Sequence, residues 1–421
     1  MRLVASVSVI ATIMLVYASH CDAVTQLWGL TSATALGALV AFYVMRSARF
    51  DTLSVRSILT LAIALRVLAL MALPLLEDDH FRYVWDGYRF AVSGTPYGAA
   101  PSAFFADASV PRTFQSILNF INYPDIPTIY GPVMQLLFVA AYVLAPGNVG
   151  ALQGLNAVID LLVLWTLASS GAKPRWLLLY AISPLVLKEA VMTAHPDGLT
   201  GLLALAALVW ARRPWVAGSL LGLAVASKIS AAILIPFLFR RGGWRAVLAA
   251  LASVVACYLP FILLPGSDMT ALLQFARNWR FNPLLFAGIE QLVGEHFARL
   301  VAAILIVTIL LWVYWRDLRV PRRSIAAVDH ALGVLLVLSP VVNPWYLLWL
   351  LPFAVMRPSR TAWTATFVLP LSYWNGTQMG GHQFDLPTLI TTMEIAVLLG
   401  AAMLDARRPL CAKSSDPMRT P

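Results

Sequence analysis

The chain is written in long apolar runs separated by short polar intervals. Runs at roughly 3–19, 26–45, 57–76, 131–146, 149–169, 176–192, 198–211, 214–239, 246–264, 298–315, 325–340, 345–356, 361–374 and 387–404 approach or reach the length that a helix needs to cross a bilayer, about 20 residues. They predict an all-α polytopic membrane protein with about 12 to 14 transmembrane helices. The first run ends at His20-Cys21, and His20 stands where a signal-peptide cleavage site needs a small residue, so the run is expected to stay as an anchor.

Basic residues orient these helices. Arg46/Arg49/Arg56, Lys173/Arg175, Arg212/Arg213, Arg240/Arg241/Arg245, Arg316/Arg319/Arg322/Arg323, Arg357/Arg360 and Arg407/Arg408/Lys413 all fall on the cytoplasmic side under two conditions. Segment 131–146 must lie along the outer surface, and segment 214–239 must be a re-entrant pair of short helices. The expected organisation is a single membrane domain over 1–405 and a cytoplasmic tail over 406–421. Loops 77–129, 265–297 and 376–386 face away from the cytoplasm.

Composition narrows the class. Hydrophobic residues make up 60% of the 421 and charged residues only 12%. Soluble domains sit near about 45–50% and 25%, so a soluble enzyme is excluded. A net charge of +10 would suggest nucleic acid in a soluble protein, but here the positive-inside loops account for it and no nucleic-acid partner is expected. Cys21, Cys257 and Cys411 are too far apart in sequence to suggest a disulfide framework or a cysteine metal site.

Candidate chemistry collects in the first long outer loop, which opens Glu77-Asp78-Asp79-His80-Phe81-Arg82-Tyr83-Val84-Trp85-Asp86-Gly87. Three consecutive acids after a membrane helix repel one another and resist desolvation, which suits a poised base. Phe81, Val84, Trp85, Tyr88 and Val92 share one helical face, expected to lie in the membrane interface, with Arg82, Asp86 and Arg89 opposite. Gly94-Thr95-Pro96-Tyr97-Gly98 ends that helix. Basic residues that break the positive-inside pattern are candidates to hold an anion: Lys228 near the turn of the re-entrant pair, Lys188 beside Glu189, and Arg277 and Arg280 in the second outer loop.

The run from Asp78 to Gly87, followed by Gly94-Thr95-Pro96-Tyr97, resembles the first outer loop of GT-C superfamily glycosyltransferases. Bacterial polyprenol-phosphate-mannose-dependent mannosyltransferases are the nearest branch, with a looser similarity to the first GPI mannosyltransferase of eukaryotes. The resemblance continues through Tyr130-Gly131-Pro132, Ser183-Pro184-Leu185, His195-Pro196-Asp197-Gly198, Gly222-Leu223-Ala224 before Lys228, and Asn343-Pro344-Trp345-Tyr346. Many relatives carry Asn where this chain has Pro196.

The resemblance implies a GT-C-type fold and an inverting transfer of a sugar, mannose by analogy, from a polyprenyl-phosphate donor to a hydroxyl acceptor on a glycan or lipid. It places that reaction on the extracytoplasmic side of an inner or plasma membrane, among membrane lipids. A polyprenyl phosphate leaves without a general acid, so the reaction asks for a carboxylate to take the acceptor proton and cations to meet the departing phosphate. Asp79 or Asp78 serves as the base, with Asp79 preferred. Lys228, Arg280, Arg277, Lys188 and Arg82 are the donor-binding candidates. His195 and Asp197 either orient the donor sugar or join Asp79 around a divalent cation; no cofactor is assigned. Competing functions are a transporter or flippase of lipid-linked sugars, and a glycan polymerase or ligase. A transporter would place its ionisable groups on broken helices near the midplane. A polymerase would centre on a large late loop, whereas here the largest loop comes early.

Overall fold

The computed structural model describes residues 1–264, 267, 270–322, 326–375 and 386–407. Loop 376–386, all but Leu386, and the tail beyond Arg407 therefore lie outside the described residues, as does Arg323. Everything regular among the described residues is helical, apart from one isolated bridge between Phe281 and Val341. Among the described residues six helices are long and apolar enough to cross a membrane: Arg2–Ser19, Ala23–Arg46, Val149–Ser169, Ile229–Ile262, Glu295–Leu318 and Thr388–Arg407. A seventh span is available if the broken pair Pro184–Met192 and Asp197–Val209 counts as one. Shorter apolar helices occupy Pro132–Leu144, Pro214–Ser227, Leu284–Val293, Val328–Leu338 and Pro344–Met356. The expected 12 or more crossings thus require the short helices to span as well.

The chain divides into two compact units. The first holds residues 1–76, 161–189 and 280–421. Some of its helices start on side-chain caps: Asp22 accepts from the amides of Val24 (3.0 Å) and Thr25 (3.1 Å), and Ser54 from Ser57 (3.1 Å). Leu300, Ile304, Val307 and Leu311 share one face of Glu295–Leu318 and are exposed. Apolar side chains aligned this way need lipid rather than water around them. Within Asn343-Pro344-Trp345-Tyr346 the backbone forms a single 3-10 turn over Pro344–Tyr346. Trp345 and Tyr346 are buried, and Tyr346 stacks on Trp349.

The second unit holds residues 77–160 and 190–279 and carries all three acids of the loop. The expected interfacial helix forms over Asp79–Ser93 and stops at Gly94, whose φ of 74° is left-handed. Trp85 and Tyr88 bury against Phe114, Ile117, Leu118 and Ile121, whereas Val92 remains exposed. On the opposite face Arg82 and Asp86 are buried. Gly87 explains it: a Cβ there would sit 2.4 Å from the carbonyl oxygen of Phe138, so only glycine lets Pro132–Leu144 approach this closely. Asp86 then accepts from Gln135 Nε2 at 2.9 Å, and the same amide reaches Thr128 at 2.9 Å.

Segment 214–239 is interrupted where expected. Pro214–Ser227 ends at Lys228, which is extended (φ −150°, ψ 120°), and a 3-10 turn over Ile229–Leu234 follows. Gly218 and Gly222 pack onto the backbone at Ala246 and Ala250, the small-residue contact common between membrane helices.

Candidate active site

The acids are built by the start of the Asp79–Ser93 helix. Asp78 holds the N-cap position, yet its carboxylate makes no capping bond. Instead Asn122 Nδ2 donates to Asp78 Oδ1 at 2.7 Å and to Asp79 Oδ1 at 3.2 Å. One side-chain amide therefore fixes both carboxylates. Tyr83, one turn after Asp79, donates its hydroxyl to Asp79 Oδ2 at 3.3 Å, and stacks on Phe138. Burial pushes the Asp78 carboxyl up to about 6; the neighbouring Asp79 charge adds to this and the Asn122 bond opposes it. Burial also drops the His80 imidazole to about 4, so it is neutral at physiological pH.

Asn122 is placed by Arg82. The guanidinium donates to three backbone carbonyls, Ile126 (2.9 Å), Tyr123 (3.0 Å) and Asn122 (3.3 Å). Arg82, a donor-binding candidate from sequence, thus fastens the loop that carries Asn122 to the helix that carries the acids.

His195 and Asp197 arrive from the break between two helices. Ala194 adopts a left-handed φ of 59°, and side-chain amides hold the irregular backbone around it. Gln153 donates to the Met192 carbonyl at 2.7 Å and Asn156 to the Ala194 carbonyl at 2.9 Å. Thr193 meets His195 Nδ1 at 2.9 Å, leaving Nε2 directed at Asp79 Oδ2, 3.9 Å away. Glu77, Asp79 and His195 each bring one ligand atom to within 4.8 Å of the others, a donor set able to hold a divalent cation. Asp197 is buried at the first position of its helix and accepts from Lys228 Nζ at 2.7 Å. Lys228 keeps 23% of its side-chain surface exposed. Gly131 makes the approach to this corner possible, because a Cβ there would lie 2.2 Å from the Ala226 carbonyl oxygen.

The remaining candidates divide. Arg277 is exposed in the last turn of Ala271–Asn278, in the same unit as the acids. Arg280 belongs to the first unit and pairs with Glu290 at 2.7 Å. Lys188, also in the first unit, is fully buried, paired with Glu189 at 3.1 Å and bonded to Tyr373. Tyr373 in turn donates to Glu189 at 3.0 Å, which closes a buried triad. Tyr83 could have been read from its spacing, four residues after Asp79. Asn122, Gln153, Asn156 and Thr193 carry no local sign of their role.

A family model described as Glycosyltransferase family 87 matches residues 128–344. A probable alpha-(1->6)-mannopyranosyltransferase of Mycolicibacterium smegmatis is 28% identical over 162 residues, 34% of this chain and 29% of that protein. An alpha-(1->6)-mannopyranosyltransferase of Mycobacterium tuberculosis is 28% identical over 204 residues, 41% of this chain and 34% of that protein. The chain spans about a third of the length of these curated relatives. No solved structure matches it significantly. The family match covers just over half of the chain, takes in Tyr130-Gly131-Pro132, His195, Asp197 and Lys228, and agrees with an all-helical polytopic membrane architecture: the chain belongs to glycosyltransferase family 87.

Proposed function

We propose that this protein is an inverting mannosyltransferase that uses a polyprenyl-phosphate donor and works on the extracytoplasmic side of an inner or plasma membrane. One observation carries the reading: a carboxylate pair oriented by a single amide, with Lys228 and His195 in the same compact unit. Mannose is favoured because both curated relatives are named for transfer of mannopyranose. The positive-inside pattern favours an outward-facing loop 77–129.

In this reading Asp79 is the base. Its carboxylate takes the proton of the acceptor hydroxyl as the hydroxyl oxygen bonds to the anomeric carbon. The bond from that carbon to the phosphate oxygen breaks with its electron pair, and the polyprenyl phosphate departs as a monoester. Lys228 holds Asp197 and keeps 23% of its side-chain surface exposed, so the ammonium can meet the phosphate charge that develops. His195 steadies the Asp79 carboxylate or the donor sugar, and Arg277 reaches the donor from the outer loop. Lys188 and Arg280 are engaged within the first unit, which leaves Lys228 as the principal phosphate contact in this scheme.

Membranes containing the protein, supplied with radiolabelled polyprenyl-phosphate sugars and in parallel with nucleotide sugars, test the proposal. The expected outcome is a new glycosidic product from polyprenyl-phosphate mannose only. Asp79→Asn keeps the shape of the side chain but removes the proton acceptor, and should slow that transfer by about 10²–10⁴-fold. Product from nucleotide sugars, or movement of intact lipid-linked sugar with no bond made, would overturn it.

A further inference from the structure

Tyr123 sits in a backbone conformation that its residue type disfavours. Its φ is +46°, where Asn or Gly is comfortable and a bulky side chain is strained. The conformation is imposed by its neighbours: Arg82 grips the carbonyls of 122, 123 and 126, so that Asn122 can reach both acids. Nothing in that clamp requires an aromatic ring at 123, since it uses only the carbonyl.

The ring is nonetheless placed to advantage. It is 36% exposed and packs edge-on against Trp279 with centroids 4.4 Å apart. Trp279 is half-buried and leans on Phe275 at 5.3 Å. Burial pushes the Tyr123 hydroxyl up to about 12, and the charges of Asp78 and Asp79 add to it. A rigid aromatic pair thus adjoins the carboxylates from the Asn122 side, while His195 approaches Asp79 through its other oxygen.

We infer that Tyr123 and Trp279 form the acceptor subsite, a platform on which the apolar C–H face of the acceptor's pyranose ring stacks while its hydroxyl points to Asp79. The chemistry that selects a sugar here is the combination of an aromatic face with adjacent carboxylates. The face offers area at little entropy cost, and the carboxylates accept from the hydroxyls on the ring edge. A lipid acyl chain would gain the first contact but would leave charged carboxylates against hydrocarbon. In an inverting transfer the acceptor attacks from the side opposite the leaving group. With the donor phosphate assigned to Lys228 by the function proposed above, on which this inference rests, the Asn122–Tyr123 side falls to the acceptor.

The test uses the full-length protein in two arms. In the first, acceptor and donor KM are measured with octyl α-D-mannopyranoside as acceptor and polyprenyl-phosphate mannose as donor. Tyr123→Asn suits the left-handed backbone, so it removes the ring while easing the fold. It and Trp279→Ala should each raise acceptor KM by about three- to tenfold with donor KM unmoved, the loss expected for one stacked ring. In the second, protein carrying 5-fluorotryptophan is titrated with methyl α-D-mannopyranoside, with the Trp279 signal assigned through Trp279→Phe. A saturable shift of that signal, weakened in Tyr123→Asn, is expected whether or not transfer is supported.

Unchanged acceptor KM in both variants, or a Trp279 signal that responds to diheptanoylphosphocholine and not to the glycoside, would overturn the subsite and assign the pair to the membrane interface. Absence of transfer from every polyprenyl-phosphate donor would sink the proposed function instead, and the titration would still decide the subsite.

Discussion

Burying Asp78 beside a second carboxylate makes its charge unfavourable, and the sign of that effect can be measured. Its carboxyl sits near 6 in the folded protein against 3.8 for an unperturbed aspartate, so the folded state holds the proton more tightly than the unfolded chain. Stability therefore falls as pH rises from about 4 through 6, and the penalty is fully present above that window. Asp78→Asn should raise the thermal unfolding midpoint at pH 8, by up to about 3 kcal/mol in stability, with the gain vanishing near pH 4. A gain equal at both pH values would show that packing, not ionisation, is responsible. Lys228→Ala tests the other side of the site. A lost charge partner for a desolvated phosphate costs about 2–5 kcal/mol, so donor use should fall at least about thirtyfold in kcat/KM. An unchanged value would confine Lys228 to its pairing with Asp197. The acids and Lys228 were visible in the sequence as charges out of place in an apolar chain. Asn122 was not, because it lies 43 residues from Asp79 in a loop with no periodicity to mark it.

Among the elements, the Asp79–Ser93 helix was half legible. Its apolar face and its glycine stop follow from residue spacing and backbone preference, and both are present. Its polar face carries charges that usually sit in water, and spacing alone gives no sign of their burial. Gly87 reverses that: the missing side chain draws in Pro132–Leu144, and Arg82 and Asp86 are buried with partners for their polar groups. Gly87→Ala should therefore force apart two backbones that cannot yield, costing about 1–3 kcal/mol and lowering the yield of folded protein. Gly154→Ala is the control, since a Cβ there meets nothing within 4 Å. Equal unfolding midpoints for the two variants would show that the close approach carries no energetic weight.

For the molecule as a whole, apolar run lengths were enough to announce a helical membrane protein, but not the number of crossings. Several runs fold as helices of 10–17 residues, and length alone does not say whether such a helix spans, tilts or re-enters. Sidedness is open to a direct measurement. Ala106 lies exposed in loop 77–129. With Cys21, Cys257 and Cys411 replaced by serine, Ala106→Cys should react with an impermeant maleimide in intact cells. Labelling that waits for permeabilisation would put the loop, and the acids with it, in the cytoplasm.

Arg82 holds its loop by carbonyl oxygens, which every residue type possesses. The clamp makes no use of the side chains at 123 and 126, so it sets no demand of its own on them beyond the left-handed backbone at 123, while Asn122 and the acids stay in register. In the proposed acceptor subsite, a lineage can then exchange the ring at 123 without rebuilding the carboxylate pair. The same freedom is open to an engineer: a library at position 123, drawn from residues that tolerate a left-handed backbone, would vary the proposed acceptor platform against a constant catalytic background.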